Sequence, residues 1–134
     1  MANVERELAH KIIEHTHTNL FLTGRAGTGK TTFLRQLREE SHKRMVVLAP
    51  TGIAAINAGG VTIHSFLQLP FGMYIPGSRF SNEQFRFSNR KRKLIRSLDL
   101  IVIDEISMVR ADLLDCMDAA LRRLRTDPRP FGGV

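Results

Sequence analysis

The sequence predicts an α/β fold built on a parallel sheet. Three short apolar runs, residues 19–23, 45–49 and 98–103, are each followed by a stretch with helical apolar spacing, and strand–helix alternation of this kind is how parallel sheets are wound. The first of these junctions is also glycine-rich, with the spacing G-x-x-x-x-G-K-T over residues 24–31. At 134 residues, with 43% apolar and 25% charged side chains, the chain is large enough for one domain with a real core.

Taken in order, residues 3–16 form an amphipathic helix, with Val4, Leu8, Lys11, Ile12 and Ile13 at helical spacing. Residues 19–23 (NLFLT) are a short apolar run ending at Gly24, read as a buried strand. A glycine-rich loop over 24–29 follows, then a helix over 30–40 with Phe33, Leu34 and Leu37 on one face. Residues 45–49 (MVVLA) are a second buried strand, closed by Pro50. A short helix over 51–58 is ended by Gly59 and Gly60. Residues 61–88 are the least regular, because Pro70, Gly72, Pro76 and Gly77 break any long element. Six of the nine aromatic residues fall there: Phe66, Phe71, Tyr74, Phe80, Phe85 and Phe87. Residues 89–97 read as a basic helix and 98–103 (LDLIVI) as the third buried strand. Val109, Leu113, Cys116, Met117, Ala120, Leu121 and Leu124 mark a strong amphipathic helix. Asp112 and Asp115 lie early in it and Arg122, Arg123 and Arg125 late, which complements the helix dipole. Pro128 and Pro130 stop it, and residues 131–134 begin a further element.

Several classes are excluded. No apolar run reaches the roughly 18 residues a membrane-spanning helix needs. Residues 1–6 have no cationic segment followed by an apolar one, so no secretory signal is expected. A single cysteine, Cys116, cannot form an internal disulfide; it fits a reducing compartment and reads as a small buried hydrophobe on a helix. The net charge of +7 is concentrated: residues 79–97 hold seven basic side chains against one acidic. Such a run suits a phosphate-bearing partner and equally suits a solvated helix face.

Two motifs carry chemistry. In the 24–31 loop, glycines allow backbone N–H groups to turn inward around an anion, and the following helix N-terminus adds positive potential. Lys30 would reach the terminal phosphates as a point charge and Thr31 would ligate magnesium through its hydroxyl. The bland reading is a structural glycine turn. Asp104 and Glu105 follow the third strand directly, at the end where α/β proteins bind ligands. Asp104 would hold magnesium and Glu105 would polarise an attacking water, since neighbours at a strand end point in different directions. The bland reading is a helix-capping acid.

FLTGRAGTGKTT, APTGIAAINAGGVTIHSF and LIVIDEISMV, in that order, together resemble the start of a superfamily-one B helicase of the PIF type, 5′-to-3′ DNA helicases related to RecD-like enzymes. The resemblance covers essentially the whole chain, and the middle block is its most diagnostic part. It implies a parallel-sheet P-loop NTPase of RecA-like fold, with residues 1–134 the N-terminal part of an incomplete first motor domain. Gly24, Ala26, Gly27, Thr28, Gly29, Lys30, Thr31 and Thr32 would cradle ATP, and Asp104 with Thr31 would hold Mg2+. Thr51 and Gly52 would contact the single-strand backbone, His64 and Ser65 would form the next DNA-contacting segment, and 66–88 falls where relatives carry a strand-separating wedge. The residue chemistry is compatible, because hydroxyls and backbone N–H groups position phosphates and aromatic rings stack unpaired bases. Each also has a structural alternative: His64 as a hydrogen-bonded scaffold residue, and Phe66, Phe71 and Phe85 as core.

The resemblance further implies ATP hydrolysis coupled to movement on single-stranded and forked DNA. The cellular setting would be repair, recombination or telomere maintenance, in the bacterial cytoplasm, nucleus or mitochondria, with no obligate protein partner evident. One departure is chemical. Relatives read adenine with an upstream glutamine, whereas the position 17 residues before Gly24 is Glu7, which accepts from the amine but cannot donate to the ring nitrogen. A second motor domain with its arginine finger is not among these residues. The central strand between the phosphate-loop strand and the acidic strand is not among them either. This stretch by itself is therefore expected to bind ATP weakly, to unwind nothing and to self-associate. Two other classes remain open on the residues alone: an unrelated P-loop ATPase or small-molecule kinase, and a non-catalytic nucleic-acid-binding module using residues 86–96.

Overall fold

The computed structural model describes residues 4–24, 29–69 and 87–134. The sequence readings for Ala26, Gly27 and Thr28, and for Phe71, Tyr74, Phe80, Phe85 and most of the wedge region, lie outside the described residues. The chain divides into two compact units, Met1–Lys43 and Arg44–Val134.

In the first unit, helix α1 (Val4–His15) and helix α2 (Lys30–Glu40) are joined by contacts one helical turn apart. Arg6 donates to the Gln36 side chain at 2.8 Å and lies over the Phe33 ring at 5.9 Å. His10 stands 3.7 Å from Glu40. Glu14 accepts from the Ser41 hydroxyl at 2.6 Å and the His42 N–H at 2.9 Å, in that order the bonds that hold its carboxyl below the usual range. Ala9, Phe33 and Leu37 are the buried apolar residues on these two helices.

Residues 19–23 do not form the expected buried strand. They pair with no strand among the described residues, and Leu20, Phe21 and Leu22 are 39%, 74% and 42% exposed. An apolar run becomes a strand only where a sheet edge takes up its backbone groups; lacking that ladder, its composition has nothing to act on.

The second unit holds a three-stranded parallel sheet in the order β2-β1-β3: β1 is Met45–Ala49, β2 Val61–Thr62 and β3 Leu100–Ile103. The register places Val46 beside Ile101 and Leu48 beside Ile103, so one face of β1 and β3 presents branched apolar side chains together. Against this face lie α4 (Ile63–Leu67), α5 (Asn89–Ser97) and α6 (Ala111–Leu124). They contribute Ile63, Phe66, Leu67, Ile95, Met117 and Leu121 to one buried cluster with Leu48, and Cys116 joins it as a buried hydrophobe. Burial, and then the charge of Asp112, raise the Cys116 thiol above its ordinary pKa.

Helix α3 (Gly52–Ala58) connects β1 to β2. Thr51 caps it through a side-chain bond from the Ala54 N–H, and Gly59 closes it in the left-handed region at φ 67°. Gly60 passes so near β1 that a Cβ there would fall 2.2 Å from the Val47 carbonyl oxygen. β2 and α4 were not foreseen, and β3 starts two residues later than the apolar run, because Asp99 is used at the strand's foot. Its carboxylate accepts from the Arg44 N–H at 3.0 Å, while the Asp99 and Leu100 N–H groups donate to the Arg44 carbonyl at 2.9 and 3.1 Å.

The end of the chain is held by Arg125. Its guanidinium donates to the carbonyls of Ile95, Arg96 and Leu98 at 2.7, 3.2 and 3.1 Å, and to that of Gly132 at 2.8 Å. One side chain thus gathers carbonyls at the C-terminal end of α5 and fastens the turn over Pro130–Gly133 to α6. Burial pushes Asp118 up, but the Phe131 N–H and the Arg122 guanidinium outweigh it and leave the carboxyl below its ordinary pKa.

Arg125→Met keeps the apolar stem and removes all four bonds. It should lower unfolding stability by about 2–4 kcal/mol, read as a fall in urea midpoint at constant slope. Wild-type stability in Arg125→Met would sink the bridging role.

Candidate nucleotide and nucleic-acid site

The parallel sheet dictates where the functional segments of the second unit lie. All three strands run the same way, so the segments leaving their carboxyl ends share one edge. Thr51 and Gly52 leave β1, His64 and Ser65 leave β2, and Asp104 and Glu105 leave β3. Six of the sequence-predicted residues therefore meet at one edge. The strand order sets the β1 segment between the other two.

The Asp104 N–H donates to the Leu48 carbonyl at 2.8 Å and completes the β3 ladder, which leaves its half-buried carboxylate at the strand tip. Glu105 then takes the left-handed conformation, φ 56° and ψ 47°, and is exposed. A non-glycine residue there is strained by about 1–2 kcal/mol, and such strain gathers at working sites. Neither acid caps α6: its N-cap is Arg110, with no side-chain cap bond.

Thr62 caps α4 by accepting from the Ser65 N–H at 3.1 Å, so Ser65 is exposed in the first turn of a short helix pinned at its start. His64 is half-buried and its carbonyl accepts from the Leu69 N–H at 3.0 Å. Of Phe66, Phe71 and Phe85, expected as core, Phe66 is buried and the other two lie outside the described residues; Phe87 is buried as well.

In the first unit, α2 begins at Lys30 behind Gly29, whose φ of 92° is the left-handed turn that glycine supplies at little cost. There is no side-chain cap, and a Cβ at Gly29 would meet nothing within 4 Å. The N-terminal N–H groups of α2 have no intrahelical acceptor, and Lys30, Thr31 and Thr32 are exposed there. The Lys30 ammonium donates to the Gly24 carbonyl, back across the loop. An open helix N-terminus with a lysine and a hydroxyl fits a polyphosphate, and Thr31 in this unit and Asp104 in the other each offer an oxygen donor of the kind magnesium prefers.

The PIF1-like helicase family model matches residues 2–134. The chain belongs to this family. The ATP-dependent DNA helicase PIF1 of Saccharomyces cerevisiae is 38% identical over 138 residues, covering 97% of this chain and 15% of that protein. Among solved structures, the Pif1 helicase from Bacteroides in complex with ADP-AlF3 and single-stranded DNA is 48% identical with a TM-score of 0.91, covering 100% of this chain and 30% of that one. A structure of two coordinating Pif1 helicases at forked double-stranded DNA gives 48% identity and a TM-score of 0.93, covering 100% and 32%. The fold is therefore the RecA-like one of PIF1-like helicases, and the chain spans about a third or less of the relatives it matches. No helix among the described residues is long and apolar enough to cross a membrane.

Sequence reasoning missed the Glu105 backbone and α4. The second had a signal: Thr62 and Ser65 stand at capping distance, and Ile63, Phe66 and Leu67 fall at helical spacing.

If Glu105 is strained as its φ indicates, Glu105→Gly should be more stable than Glu105→Ala by about 1 kcal/mol in urea unfolding, although both lose the carboxylate. At an ordinary helix position the order is the reverse, so alanine proving the better substitute would contradict the left-handed backbone.

Proposed function

We propose that these residues are the nucleotide-binding, single-strand-contacting part of the first motor domain of an ATP-dependent, 5′-to-3′ DNA helicase. The observation that carries this reading is the shared carboxyl edge, where the Thr51–Gly52, His64–Ser65 and Asp104–Glu105 segments come together on a family-matched sheet. The relatives point the same way: they are ATP-dependent DNA helicases, and Pif1 structures hold ADP-AlF3 with single-stranded DNA or sit at forked DNA.

In this reading the loop residues Gly24, Ala26, Gly27, Thr28 and Gly29 and the start of α2 hold the polyphosphate of ATP. Lys30 leaves the Gly24 carbonyl to balance charge that develops on the transferred phosphoryl group. Thr31 and Asp104 would hold Mg2+, which would supply positive charge to the phosphates, and Glu105 would orient the attacking water. Thr51, Gly52, His64 and Ser65 hold the single strand through hydroxyl, imidazole and backbone donors, which act on phosphate and sugar without reading sequence. Glu7, exposed on α1, would accept from the adenine amine alone. Translocation needs the second motor domain of the full-length protein, whose arginine would complete the charge on the nucleotide.

ATP hydrolysis by the full-length protein is expected to depend on single-stranded DNA. Lys30→Ala should lower DNA-stimulated turnover by a factor on the order of a hundred or more. Steady-state phosphate release with and without a polythymidine oligonucleotide checks it. Equal turnover in both conditions would favour an unrelated ATPase, and DNA binding without any hydrolysis would favour a non-catalytic binding module.

A further inference from the structure

Four consecutive cations, Arg90, Lys91, Arg92 and Lys93, open the basic helix α5, and they do not share one environment. Arg90, Arg92 and Lys93 are exposed, whereas Lys91 turns inward. Its ammonium lies 5.4 Å from the ring centroids of both Phe66 and Phe87, each of which is buried, and donates to the Ser65 carbonyl at 3.3 Å. Its own backbone N–H is capped by the Ser88 hydroxyl at 3.2 Å, so the base of the side chain is fixed as well.

We propose that Lys91 is a positioning residue for the DNA-contacting segment: set over two aromatic rings, it pins the Ser65 carbonyl and thereby fixes α4 at the carboxyl edge of the sheet. The proposal rests on the reading that His64 and Ser65 face single-stranded DNA. Its physical basis is the shortness of α4. A five-residue helix cannot sustain itself, and its late carbonyls have no partner within it. The His64 carbonyl takes N–H groups from Gln68 and Leu69, the turn that ends the helix. The Ser65 carbonyl takes the ammonium of Lys91. With Thr62 capping the start, α4 is tied at both ends, and the second tie comes from a residue 26 positions away. Two ring faces offset the desolvation of the ammonium. Burial holds the Lys91 pKa below the ordinary lysine value, the sign of a charge turned away from water.

A positioning cation and a phosphate-binding cation differ in how they respond to salt. A direct phosphate contact releases counterion, so removing it flattens the dependence of log affinity on log salt by about 0.7 per contact on single strands. Removing a positioning group lowers affinity at every salt concentration and leaves the slope alone. The test is fluorescence anisotropy of a labelled polythymidine oligonucleotide with the full-length protein at several salt concentrations. Lys91→Met should weaken binding about tenfold with the slope unchanged, the loss expected for a charge-assisted bond. Lys91→Arg, which retains a donor and the ring contacts, should return affinity to within about threefold. Should Lys91→Met fail to fold, Phe87→Leu keeps the ammonium and removes one ring; it should weaken binding at an unchanged slope. Unaltered affinity in either variant, or a slope flattened by one contact in Lys91→Met, would overturn the proposal alone. An unmodified protein that does not bind the oligonucleotide would overturn the DNA reading of α4 and the proposal with it.

Discussion

The pairing of β1 on both of its edges is the constraint from which the second unit follows. Leu48 alone stands opposite Ile103 on one side and Val61 on the other, and it is fully buried. At the foot of β1 the Arg44 backbone exchanges two hydrogen bonds with Asp99, side chain and backbone, and its carbonyl accepts a third from the Leu100 N–H. A slip of one residue would turn Val46, Leu48, Ile101 and Ile103 away from the helices that cover them. It would also break the contact that only Gly60 permits. Because the register is fixed and the strands are parallel, the segments leaving β1, β2 and β3 arrive at one edge with no further arrangement.

Much of this was legible in the chain. The helices over 30–40, 89–97 and 111–124, and the strands at 45–49 and 100–103, follow from apolar spacing that burial then satisfies. The failure at residues 19–23 has a definite cause. NLFLT is apolar enough for a buried strand, but strand formation is a property of two segments, and composition describes only one. β2 and α4 failed differently, hidden in a region whose prolines and glycines suggested irregularity, although those residues begin only at Pro70. The candidate site residues stand out in the sequence because phosphate chemistry demands particular types at particular spacing. The left-handed Glu105 was not, since nothing in an Asp-Glu pair announces its backbone angle.

Charge shows the same division. A run of seven basic side chains over residues 79–97 suggests a surface for phosphate, yet the described cations of that run do several jobs. The Lys91 ammonium lies 5.4 Å from two ring centroids, and Arg96 donates to the Leu124 carbonyl at 3.1 Å. Outside the run, Arg125 donates to four carbonyls. These cations satisfy helix ends that would otherwise be left open, a task for which a long, multiply donating side chain is suited. Net charge thus overstates the part of α5 that is available to an anion: Arg90, Arg92, Lys93 and Arg96 are exposed, but Arg96 is already bonded to the Leu124 carbonyl.

The β1–β3 pairing has a kinetic consequence. Val46 meets Ile101 across more than fifty intervening residues, and the chain entropy of closing so long a loop must be overcome before the contact returns anything. The β1–α3–β2 connection is local by comparison and can form first. Folding of this unit should therefore be governed by the arrival of β3, which places it among slow, non-local topologies. Until β3 docks, Leu48 and the apolar face of α6 stay uncovered, and the interval is one in which such a chain is open to capture by a chaperone.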